Sequence, residues 1–282
     1  MRHAFQLRVG PVGFRIGSDW RGPVAALERL YAGYPAPDVP DMTVRLFAER
    51  PWRRFVRPSV AISGDFWLPD AAPLPLAQGL LAAEMGMNLQ VALGWRRHLL
   101  LHCSAVERDG RVLLMSGASG SGKSTLATLL ALRGWRFLGD EFAFVSLEDG
   151  RVHPFPRASS LKNEAVAAVR AAGGAVAPVL AGTPKGTIGY WRPPEQAVAR
   201  MAEAAPPALL VFPRFGRPEH VERLAASEAF MLLTQASTNY VSLGEAGFGA
   251  LTRLVQGVPA LQVDYPDGAA GLALVDRLWG AL

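Results

Sequence analysis

Cysteine is almost absent: Cys103 is the only one in 282 residues. No intramolecular disulfide can form and no cysteine-rich metal site can be built, which points to a reducing, cytoplasmic setting. Long apolar runs are missing too. Met1-Arg2-His3-Ala4-Phe5 does not lead into the apolar core of a signal peptide, and the longer apolar stretches meet a charge or a glycine well short of a membrane span. A strong excess of one charge is also lacking, since 29 basic and 24 acidic residues leave only +5, spread along the chain. The densest basic cluster is Arg45, Arg50, Arg53, Arg54 and Arg57. It reads as a solvated face before it reads as a nucleic-acid surface, so no nucleic-acid partner is expected. There is no internal repeat. What is abundant is core material. Half of the residues are hydrophobic, enough for one large domain or two modest ones.

Against this background one stretch stands out, Gly117-Ala118-Ser119-Gly120-Ser121-Gly122-Lys123-Ser124-Thr125. It is a complete G-x-x-x-x-G-K-[ST] phosphate loop. Val112 to Ser116 ahead of it reads as a buried strand, and Leu126 to Leu132 behind it as a helix stopped by Gly134. Glycines let backbone N–H groups turn toward a polyphosphate, and the helix N-terminus adds partial positive charge. Lys123 is placed for the β- and γ-phosphates, and the Ser124 hydroxyl for Mg²⁺. ATP and Mg²⁺ are therefore the expected cofactors, with Gly117, Ser119, Gly120, Ser121, Gly122, Lys123, Ser124 and Thr125 as the binding set.

The rest of the chain reads as an α/β protein. Residues 1–72 form a small N-terminal α+β unit, with a hairpin at Phe5–Val9 and Val12–Ile16, a helix near Pro23–Tyr31 and a strand at Met42–Phe47. Asp70-Ala71-Ala72-Pro73 is a linker-like break before a second domain, residues 73–282. Leu76–Leu93 reads as one long helix. His98–Ser116 reads as a hairpin, with Leu99–Val106 as one arm and His102 on the strand paired with the one that feeds the loop. Arg136–Gly139 is a strand that ends in Asp140-Glu141, two carboxylates placed for Mg²⁺ or general-base work. Lys162 and Glu164 lie at a helix start and are candidates to face the site. Gly173–Gly189 has little periodicity and reads as a loop, either a flap or an inert segment, with Lys185 in it. Arg214 follows a buried strand at its carboxyl end. Lys185 and Arg214 are candidates to steady a transferred phosphoryl group.

Leu101-His102-Cys103-Ser104-Ala105-Val106, the phosphate loop, and then Arg133 to Glu141 together resemble the core of HPr kinase/phosphorylase. The chain is more similar still to the HPr-kinase-related kinase A subfamily, the HPr-kinase-like proteins of modified-peptide and exosortase-linked clusters. Phe155-Pro156-Arg157, Ser160 to Glu164, Lys185-Gly186-Thr187, Phe212-Pro213-Arg214, Asn239-Tyr240 and Glu245 to Phe248 carry that likeness, over roughly residues 74–282. The resemblance implies a P-loop kinase core of the HPr kinase / PEP carboxykinase-like type. It gives His102 a site-shaping role beside the phosphates and makes Asp140 the acid that takes the substrate hydroxyl proton. Glu141 stands where HPr kinase has a second Asp. The Glu-x-Arg signature of true HPr kinases is replaced here by Leu161-Lys162-Asn163-Glu164. HPr as the substrate, and reverse phosphorolysis, lie outside what the resemblance carries.

The expected activity is an ATP- and Mg²⁺-dependent kinase acting on a hydroxyl, a serine of a peptide or protein partner. Lys123, His102, Asp140 and Glu141 form its catalytic set, with Ser124, Asp140 and Glu141 at the metal. A small-metabolite kinase, a P-loop NTPase acting as a switch, and a nucleotide-binding scaffold without turnover remain as alternatives. The sequence leaves a homo-oligomer open.

Overall fold

Period-two alternation of apolar and polar residues builds the first unit. In the computed structural model, which describes residues 2–66 and 72–282, β1 (His3–Val9) and β2 (Val12–Ser18) form the expected antiparallel hairpin. Helix α1 (Arg21–Leu30) then returns the chain to β3 (Met42–Phe47), which pairs parallel with β2. Strands β4 (Ser59–Gly64) and β5 (Leu74–Pro75) complete the sheet in the order β1-β2-β3-β4-β5. A single 3₁₀ turn, Leu76–Gln78, precedes α2 (Gly79–Gly94).

Helix α1 packs on β1 and β2, α2 packs on β3 and β4, and the two helices pack together. Gly86 lets α2 lie close to the sheet, because a Cβ there would sit 2.5 Å from Val44 Cγ1. That packing moves the boundary between units. The chain divides into Met1–Trp95 and Arg96–Leu282, later than the break read at residue 72, because α2 covers the first sheet. Asp70 and Ala71 of that break lie outside the described residues.

The second unit opens with β6 (His98–Leu101), β7 (Cys103–Arg108) and β8 (Arg111–Ser116). The arm expected over Leu99–Val106 is in fact two strands. β6 pairs with β10 in one sheet while β7 pairs with β8 in another, and His102 sits at the break where the chain changes sheet. Period-two patterning does not mark such a switch, because both halves are buried. Next come α3 (Lys123–Leu132), β9 (Arg136–Gly139), β10 (Ala143–Ser146) and β11 (Val152–His153). They are followed by β12 (Ser159–Lys162), α4 (Glu164–Ala171), β13 (Val176–Thr183) and β14 (Gly186–Trp191).

The stretch expected to be a loop over Gly173–Gly189 is thus largely a bulged hairpin with Lys185 in its turn. Its weak strand pattern follows from exposure: most of β13 faces solvent, and pairing along β12-β14-β13 holds it rather than burial. The chain closes with α5 (Glu195–Ala199), β15 (Pro207–Phe215), β16 (His220–Arg223), α6 (Ala226–Ala236), α7 (Tyr240–Gly257), β17 (Ala260–Tyr265) and α8 (Gly268–Gly280).

The six-stranded sheet runs β16-β17-β15-β8-β7-β9, with β8, β15 and β17 parallel. Leu113 and Met115 enter the core built with α3 and α8, and Val112 and Leu114 enter the core built with α6 and α7. Burial on both faces is why Val112–Met115 is a continuous apolar run. Both cores pack on these strands, and the Gly117–Thr125 segment follows the carboxyl end of β8.

A half-buried histidine pair gives this unit an acid-sensitive point. His98 on β6 lies 4.6 Å, ring to ring, from His153 on β11. Burial, aided by the charges of His153 and Arg97, lowers the His98 pKa from 6.5 to about 4, and burial lowers His153 as well. Below pH 6.5 the unfolded chain takes protons that the folded chain refuses. Stability is therefore expected to be flat above 6.5 and to fall as pH drops toward about 4. Urea unfolding across that range checks this, and His98→Gln should flatten the profile.

Candidate active site

The segment from Gly117 to Leu132 sets the geometry. Gly117, Gly120 and Gly122 have φ of 156°, 85° and 94°. The last two lie in the left-handed region, which side chains rarely adopt. Gly122 is needed for space as well, since a Cβ there would be 2.4 Å from the Tyr265 hydroxyl. Helix α3 then starts at Lys123, so the free N–H groups of its first turn face the pocket beside Ser124 and Thr125. Lys123 is 7% exposed and its Nζ donates to the carbonyls of Gly117 at 2.5 Å and Ala118 at 3.0 Å. Burial lowers its pKa, with Asp140 opposing the shift.

Asp140 follows β9 and is 5% exposed. Three hydroxyls donate to it: Ser104 at 2.6 Å and Ser124 at 3.0 Å to Oδ1, and Ser159 at 2.7 Å to Oδ2. These come from β7, α3 and β12, so one carboxylate ties three elements to β9. Glu141 is different. It has φ 76°, a conformation unusual for a non-glycine residue, and its side chain is 34% exposed. Its Oε2 is 3.7 Å from His102 Nδ1, and its carbonyl oxygen is 3.0 Å from the same nitrogen. The backbone N–H of His102 is held by the Ala236 carbonyl. Cys103 next door is buried, and burial pushes its thiol up to about 12, so it is not a nucleophile.

These groups line a cavity of about 1050 Å³. Ser119 to Leu126, His102, Asp140 and Glu141 form part of its wall, and Lys162, Glu164 and Lys185 line it as well. The sequence contains three lysines against 26 arginines, and all three lysines, Lys123, Lys162 and Lys185, face this one cavity. Gly117 is not among the lining residues; its carbonyl accepts from Lys123 Nζ. Arg214 is not in the wall; Asp264 takes its guanidinium at 2.5 and 2.8 Å. Sequence reasoning missed Ser104 and Ser159, because a single strand hydroxyl carries no spacing signal. It also missed Phe215 and Tyr265, which line the cavity from the ends of β15 and β17. Among the described residues, the hydroxyls of Tyr265 and Ser121 are buried without a protein partner.

A family model described as SynChlorMet cassette protein ScmC matches residues 83–178, less than half of the chain. No curated protein matches. Among solved structures, the Hpr(Ser) kinase/phosphatase from Coxiella burnetii is similar at 13% identity, over 65% of this chain and 99% of that one, with a TM-score of 0.31. So loose a superposition carries no argument about this chain. The fold itself is a mixed α/β architecture of several sheets.

Proposed function

We propose that this chain is a phosphotransferase that uses ATP and Mg²⁺ to phosphorylate a hydroxyl, a serine on a peptide or protein. The observation that carries the reading is the convergence of a phosphate-loop sequence, two adjacent acids and every lysine of the chain on one cavity. A polyphosphate fits these residues. It would take the Lys123 ammonium and the first-turn N–H groups of α3, and it would offer acceptors to the two unpartnered hydroxyls, Ser121 and Tyr265. Ser124 Oγ beside Asp140 Oδ1 is an all-oxygen pair, the donor type Mg²⁺ prefers when phosphates and water complete its shell. Bound there, the ion supplies neutralisation of phosphate charge.

The two acids divide the work. Three hydroxyls take most of the acceptor positions of Asp140, so it holds Ser124 and the surrounding elements in place and keeps about one position for the ion. Glu141 is open to the cavity, and with His102 beside it is the group we assign to accept the acceptor proton. This moves the base one residue from the position the family resemblance implied. Lys162 and Lys185 act as point charges that steady the transferring group and the incoming chain. The cavity is at the upper end of the range for a small ligand alone, which suits a nucleotide with a chain segment beside it.

The test is transfer of radiolabelled γ-phosphate to peptides encoded beside the gene, to free serine and sugars, and to water. Label on a peptide serine is the expected result. Label only on free metabolites would replace the acceptor class, and release to water alone would make the chain an NTPase switch.

A further inference from the structure

The N-terminal unit carries a tip that the kinase reading does not use. Between β3 and β4 the chain runs Arg50-Pro51-Trp52-Arg53-Arg54-Phe55-Val56-Arg57, with a 3₁₀ turn at Pro51–Arg54. Trp52, Phe55 and Val56 are 55%, 79% and 61% exposed. Side chains so open project from the surface and do not line a groove. The backbone beneath them is fixed. The N–H groups of Phe55 and Val56 both bond to the Trp52 carbonyl, Trp20 Nε1 donates to the Arg54 carbonyl at 3.1 Å, and Arg54 Nη2 donates to the Asp19 carbonyl at 2.8 Å. Arg50 lies 5.3 Å over the Trp52 ring and Arg54 5.7 Å over Phe55. Among the described residues, none of Arg50, Arg53, Arg54 and Arg57 is in an ion pair.

We infer that this tip docks on an anionic lipid bilayer, with Trp52, Phe55 and Val56 entering the interface and the arginines on headgroup phosphates. The partner must neutralise four unpaired cations and must also enclose a projecting apolar knob. An anionic bilayer does both, because its interface is deformable and accepts aromatic rings, while arginine stems lie along the apolar part and keep their heads at the phosphates. Nucleic acid would use the cations and the two rings by stacking, but it gives Val56 no partner. An acidic peptide would need a groove that these exposures rule out. No described helix is long and apolar enough to cross a membrane, so the contact is a surface one.

The full chain is mixed with vesicles of phosphatidylcholine alone or with phosphatidylglycerol, and sedimented. Binding to the mixed vesicles only, weakened by salt, is expected. Trp52→Ser with Phe55→Ser, and separately Arg50→Gln with Arg53→Gln, should each lower partitioning about tenfold or more at unchanged melting temperature. Arg50→Lys with Arg53→Lys should keep it. A second readout needs no destabilising change: brominated lipid should quench part of the tryptophan fluorescence, and Trp52→Phe should remove that part. The inference is overturned if the wild-type chain ignores anionic vesicles, or if both double variants bind them as well as it does. It is also overturned if those variants lose binding to a single-stranded oligonucleotide or an acidic peptide while vesicle binding is unchanged.

Discussion

Lys123→Met is expected to abolish phosphate transfer while leaving the protein at least as stable as the wild type. Lys123 is 7% exposed, and burial disfavours its charge. An unbranched apolar side chain of similar length relieves that cost. The carbonyls of Gly117 and Ala118, which lose a donor, lie on a partly open loop where water replaces it. A gain of about 1 kcal/mol would raise the melting temperature by roughly 2–4 °C in a chain of this size. Nucleotide affinity moves the other way. Losing hydrogen bonds to a charged group costs about 1.5–3 kcal/mol, so ATP should bind roughly ten- to a hundredfold more weakly. Calorimetric melting and an ATP titration on the same sample check both halves. Unchanged ATP affinity would remove the phosphate-loop reading.

Glu141→Gln and Asp140→Asn are expected to fail in different ways. Glu141 touches the fold lightly, through a half-open side chain beside His102. Its amide should keep ATP affinity and melting temperature while phosphotransfer falls by roughly 10² or more, the usual loss of a positioned base. Asp140→Asn removes the charge that receives hydroxyls from Ser104, Ser124 and Ser159. It should cost about 1.5–3 kcal/mol of stability, because an amide replaces a buried, charged acceptor, and ATP–Mg²⁺ binding should weaken with it. Urea unfolding and single-turnover transfer on both variants separate the roles. Should Asp140→Asn keep its stability and lose only transfer, the base returns to Asp140.

The two acids also show where sequence reading stops. Asp140-Glu141 is visible as a pair at a strand end, yet nothing in the dipeptide says which side chain is held and which is open. That is decided by Ser104 and Ser159, 36 and 19 residues away, and by the positive φ of Glu141. The placement of His102 was missed in the same way. Its neighbours are apolar on both sides, so the switch from the β6 sheet to the β7 sheet leaves no trace in the pattern. Arg214 looked placed for a phosphate, but the parallel partner strand β17 puts Asp264 beside it.

By itself the sequence determined the local elements and the chemistry that needs contiguous residues. The phosphate-loop motif, its strand and helix, and the N-terminal hairpin follow from periodicity and glycine placement, all local in the chain. Only the tertiary structure decided where α2 belongs, how the Gly173–Gly189 stretch pairs, and which distant side chains meet at the cavity. Lys162 and Lys185 line the same cavity as Lys123 because sheet β12-β14-β13 holds them there. That placement depends on backbone pairing and burial between segments far apart, which no local pattern encodes.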